Sequence, residues 1–78
     1  MTADEMFEEL GFEKMVDFVT RSFIYHKKIK HIIYAENRII LFHDITKTIT
    51  VDLQYLTIQE LQAINQKVKE LGWSDEQM

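Results

Sequence analysis

Seventy-eight residues, 46% of them apolar and 28% charged, describe one small globular domain in the size range where a single core is only just sufficient. The absence of cysteine excludes disulfides, thiolate metal sites and thiol catalysis. A net charge of −4 argues against nucleic acid as the default partner, and no stretch approaches the roughly 18 apolar residues of a membrane span.

The acidic start MTADEMFEEL lacks the basic segment and apolar run of a signal peptide, so a cytoplasmic location is expected. Thr2 and Glu5 have capping-box spacing, and Met6, Phe7 and Leu10 follow at helical spacing. Gly11 supplies a left-handed stop, after which Phe12 folds back onto Phe7. The period then changes to two. DFVTRSFIYH reads as a strand that turns near Lys27 and Lys28. IIYAENRII reads as two β-rich runs around a turn at residues 35–38, where Asn37 tolerates positive φ. FHDITKT gives a second turn, with Asp44 able to bond the backbone just ahead. TITVDL alternates, with Ile49, Val51 and Leu53 on a buried face and Thr48, Thr50 and Asp52 on a wet one.

The last helix repeats the opening grammar. Thr57 and Glu60 cap it, Leu61, Ile64, Val68 and Leu71 form its apolar stripe, and Gly72 stops it so that Trp73 returns onto Val68. SDEQM reads as a frayed tail. The expected fold is therefore a single α+β domain over residues 1–78. It comprises a short N-terminal helix, a four-stranded antiparallel meander, and an amphipathic C-terminal helix packed on one sheet face.

The runs at residues 29–34 and 39–42 are apolar on both faces. Ile29 and Ile33 oppose Ile32 and Tyr34, and Ile39 and Leu41 oppose Ile40 and Phe42. One long helix covers one face, and the first helix is too short to cover the other. Ile32, Tyr34, Ile40 and Phe42 are therefore the candidate face for a homodimer or another protein.

Candidates for chemistry are few. His26, His31 and His43 lack metal-ligand spacing and have no clustered carboxylate beside them, so neither a metal nor a cofactor is expected. His43, Asp44 and Ser22 supply the residue types of a hydrolytic triad, but no nucleophile-elbow or oxyanion signature accompanies them. Tyr25, Lys27, Lys28 and Lys30 interleave basic and aromatic side chains, a pattern that holds phosphates and stacks bases. The same lysines also suit a solvated turn that discourages sheet pairing.

TADEMFEELGF (residues 2–12) and TIQELQAINQKVKELGW (residues 57–73) together resemble the ends of small proteins encoded by phages and prophages of Gram-positive bacteria, and FHDITKTI (residues 42–49) is similar to their middle. The two end segments cover 28 of 78 residues. The group carries no assigned activity, so the resemblance implies a phage-related origin and a bacterial cytoplasm but assigns no site residue. The resulting expectation is a non-catalytic interaction protein, homodimeric, meeting host or phage proteins through an apolar or acidic surface. The alternative is a nucleic-acid accessory protein using Lys27, Lys28 and Lys30.

Overall fold

The computed structural model describes residues 1–73 and forms α1 (Ala3–Glu9), β1 (Glu13–Asp17), β2 (Ser22–Lys30), β3 (Ala35–His43), β4 (Thr48–Asp52) and α2 (Ile58–Glu70). The segment read as a frayed tail, residues 74–78, lies outside the described residues. The strands form one antiparallel sheet in the order β1-β2-β3-β4, the expected α+β meander between two helices.

Both helices begin and end as their sequences dictate. Thr2 Oγ1 accepts from the Glu5 N–H at 3.1 Å while Glu5 accepts from the Thr2 N–H at 2.8 Å. Thr57 and Glu60 make the same exchange at 3.0 and 2.9 Å. Gly11 and Gly72 sit at φ of 91° and 74°, and the Phe12 and Trp73 N–H groups then reach back to the Phe7 and Val68 carbonyls, each at 3.0 Å.

The strand boundaries depart from the sequence expectation in three places. The run read as one strand from Asp17 to His26 reverses at residues 18–21, because Asp17 Oδ1 accepts from the Val19 and Thr20 N–H groups and Arg21 takes φ 55°. Its β-branched residues thus fill a hairpin loop, the local hydrogen bonds having overridden propensity. Lys27 and Lys28 are interior to β2 rather than at a turn, and residues 35–38 belong to β3. The reversal between those strands falls at residues 31–34, where the His31 N–H donates to the Tyr34 carbonyl at 2.7 Å. The turn expected within FHDITKT is present at residues 44–47, closed by Lys47 at φ 55°. The Asp44 carboxylate there accepts from Trp73 and Arg21 rather than from the backbone just ahead.

Both helices pack on the same face of the sheet. Ala3 and Phe7 from α1, Ala63 and Ile64 from α2, and Phe12, Tyr25, Ile40 and Phe42 form the buried core. Phe7 stacks on Tyr25 at 4.1 Å and meets Phe12 and Phe42 edge-on at 5.5 and 6.2 Å. Strand register puts Met15, Ile24, His26, Ile39, Leu41 and Thr50 on the opposite face. Of these, Met15 and Thr50 are exposed and the others half-buried.

The α2 stripe is rotated from its expected position. The residues of α2 that are buried are Glu60, Ala63, Ile64 and Lys67, whereas Leu61 is exposed. At 100° per residue, Leu61 and Val68 point to one flank of that buried line and Glu70 to the other. Glu70 accepts from the Ala3 N–H of α1 at 2.8 Å, so Leu61 and Val68 face away from α1. Since α1 touches β1 and β2 through Asp4–Lys14 and Phe7–Tyr25, the Leu61 side of α2 faces β4.

Candidate interaction surfaces

The strand period separates the four residues that formed the nucleic-acid candidate. Tyr25 and Lys27 point toward the helices, and Lys28 and Lys30 to the other side. Tyr25 is buried and its hydroxyl donates to Asp4 at 2.6 Å. Lys27 donates to the Leu10 carbonyl at 2.8 Å with its ammonium 4.8 Å from the Phe12 ring centre, tying β2 to the end of α1. Lys28 and Lys30 are exposed, so only two of the four side chains are open to a ligand.

The candidate dimer face divides in the same way. Ile40 and Phe42 are wholly buried in the core, while Ile32 and Tyr34 stand at the exposed tip of the β2–β3 hairpin. They do not form one surface. The chain reverses at residues 31–34 and takes Ile32 and Tyr34 out of the ladder, and the helices occupy the side on which Ile40 and Phe42 lie.

The histidines are dispersed. His26 lies on the second sheet face, opposite Glu13 and Ile39. His31 stacks on Tyr34 at 4.2 Å and lies 3.4 Å from Glu36, and His43 Nε2 is 2.8 Å from Thr50 Oγ1. Among the described residues no three His, Asp or Glu side chains gather as a metal site. Ser22 and His43 are cross-strand neighbours, yet the Asp44 carboxylate accepts from the Trp73 indole at 3.0 Å and lies 3.4 Å from Arg21, not on His43. The three residues form no proton relay.

Periodicity gave no sign of two buried polar clusters. Arg38, on the helix side of β3, makes a two-pronged contact with Glu60 of α2 at 2.6 and 2.9 Å. It also donates to Glu36 at 2.9 Å and to the Tyr55 carbonyl at 3.0 Å. Burial pushes the Glu60 carboxyl up, but hydrogen bonds from Arg38 and Thr57 and the Arg38 charge outweigh it and hold it below the usual carboxylate range. Near the other end of α2, Lys67 is buried with its ammonium 4.3 Å from the Phe23 ring centre and 3.9 Å from Asp4. Burial, then the nearby Lys14 charge, pushes its pKa down despite Asp4. Asp4 itself is raised by burial, but Lys14, Tyr25 and Lys67 bring it below its ordinary value.

Asp4, Glu36 and Glu60 are all depressed, so the folded chain binds fewer protons than the unfolded chain as pH falls toward the ordinary carboxylate range. The stability they contribute is fully present above their unfolded values of roughly 4 and is lost as pH drops through the lower folded values. Thermal midpoints followed by circular dichroism should be level from neutral pH to about 5 and fall steeply below about 4. A midpoint unchanged down to the lowest pH tested would contradict this account.

Apolar side chains are left uncovered on the helix side at both edges of the sheet: Val16 on β1, and Ile49 and Val51 on β4 beside Leu61 of α2. Register places Ile49 and Val51 beside Phe42 and Ile40 on the core face, so the expected inward direction is correct, but their cover is missing. All five β4 residues are exposed, contrary to the expectation of a buried face. Ile49 is 38% exposed, Val51 49% and Leu61 40%. The helix pair sits over β2 and β3, and both edge strands, β1 and β4, are exposed along their length. No helix among the described residues is long and apolar enough to cross a membrane. Neither a family model, nor a curated protein, nor a solved structure matches the chain.

Proposed function

We propose that this protein is a non-catalytic interaction module that binds protein through the apolar flank formed by β4 and α2. The exposed row of Ile49, Val51 and Leu61 carries that reading. Covering a large apolar side chain is worth roughly 1.5–3 kcal/mol, so leaving such a row open is costly for so small a domain. A second copy, a phage protein or a host protein each fits a surface of this kind. Under the proposed phage-related origin, such an encounter would take place in a bacterial cytoplasm. Support for nucleic acid shrinks to Lys28 and Lys30, since Tyr25 and Lys27 are held within the fold.

Replacing Leu61 with the photo-cross-linking residue p-benzoylphenylalanine in living cells tests the flank, with the same replacement at Lys28 as the comparison. Discrete protein adducts from position 61, identified by mass, are the expected result. Adducts confined to position 28, or nucleic acid captured there, would overturn it.

A further inference from the structure

We infer that the occupant of this flank is a second copy of the chain, joined by antiparallel pairing of β4 with its own counterpart. The inference rests on the reading of the flank as an interaction surface and adds the partner and its register. As the last strand in the order β1-β2-β3-β4, β4 has, among the described residues, a strand neighbour on one side alone. Natural edge strands are blunted by lysine, proline, bulges or covering elements. β4 carries neither lysine nor proline, and its pairing with β3 runs unbroken from Ile39↔Asp52 to His43↔Thr48. The opposite edge differs: β1 carries Glu13, Lys14 and Asp17, and α1 is tied across it through the Asp4–Lys14 ion pair at 2.8 Å.

TITVD is self-complementary about its centre. A two-fold axis at Thr50 sets Thr50 against Thr50 and Ile49 against Val51 of the second copy, so the apolar row continues across the junction on the helix side. Asp52, the one charge in the strand, then faces Thr48 of the second copy rather than its own counterpart, and no like charges meet. A shift by one residue would put the two helix pairs on opposite faces, and a shift by two would leave part of the five-residue strand unpaired, so the register centred on Thr50 is the one that pairs all of β4 with both helix pairs on one side. Leu61 and Val68 of each α2 face the same edge and close over the joined strands. The product is a continuous eight-stranded sheet with both helix pairs on one side.

Light scattering after size-exclusion chromatography, run over a wide concentration range, reads the mass directly; a dimer of the 9.4 kDa chain is expected. Val51→Lys places a charge on an exposed edge position and should weaken self-association roughly tenfold or more while leaving the monomer's circular dichroism unchanged. The register is tested by Thr50→Cys, introduced into a chain that has no cysteine. Mild oxidation should link Thr50→Cys chains into covalent dimers, whereas Thr46→Cys in the adjacent loop should stay unlinked. A dimer that Val51→Lys leaves intact and Thr50→Cys fails to link would overturn the β4 junction. A monomeric mass overturns the second copy; adducts to another protein at position 61 would then leave the flank reading standing, and their absence would remove both.

Discussion

Replacing Arg38 with Met will lower the unfolding free energy by about 3–5 kcal/mol, the range seen when one member of a buried ion pair is removed. The reason is what remains behind. Glu60 stays buried, still tied to Thr57 at the start of α2, with its two guanidinium contacts at 2.6 and 2.9 Å gone. Glu36 and the Tyr55 carbonyl lose donors as well. Adding Glu60→Leu to Arg38→Met should recover most of the loss, short of about 1 kcal/mol for the broken capping box, because an apolar pair replaces the stranded charge. Denaturant titration of both single variants and the double variant completes the cycle. A single-variant loss below about 1 kcal/mol would show that the pair is no better than a surface ion pair.

Phe7→Ala should be about as damaging, at roughly 3–5 kcal/mol. Phe7 is the point at which α1 enters the core: its ring stacks on Tyr25 and meets both Phe12 and Phe42 edge-on. Alanine there leaves a cavity between α1 and the sheet that the two-turn helix cannot fill by settling. A domain this size has roughly 4–12 kcal/mol in total, so the variant should be partly unfolded at 37 °C. Thermal melts must be compared at one protein concentration, since self-association would add stability that rises with the logarithm of concentration above its Kd. A fully folded Phe7→Ala protein with an unchanged midpoint would show that α1 is dispensable to the core.

These two sites differ in how legible they were. Phe7 could be placed from its helical spacing and from the Gly11–Phe12 stop that folds back on it. Arg38 could not, because a charged residue beside Asn37 reads as part of a polar turn. The same misreading moved the hairpin reversal from residues 31–34 to residues 35–38. It also grouped Ile32 and Tyr34 with Ile40 and Phe42, which the fold separates into an exposed tip and a closed core. The alternation in TITVDL correctly assigned Ile49 and Val51 to the inner face, yet alternation reports direction and not cover.

What the sequence alone determined was local: two capping boxes, two glycine stops with their aromatic returns, the change of period from 3.6 to 2, and hence the α+β meander. Each of these is decided by residues within a few positions of one another, where hydrogen bonds and backbone preferences are encoded directly. The tertiary structure alone decided that both helices share one face of the sheet, that Arg38 and Glu60 meet across 22 residues, and that β4 and Leu61 are left uncovered. Those outcomes depend on how distant surfaces divide a small amount of apolar area among themselves, and no single stretch of the chain encodes that division.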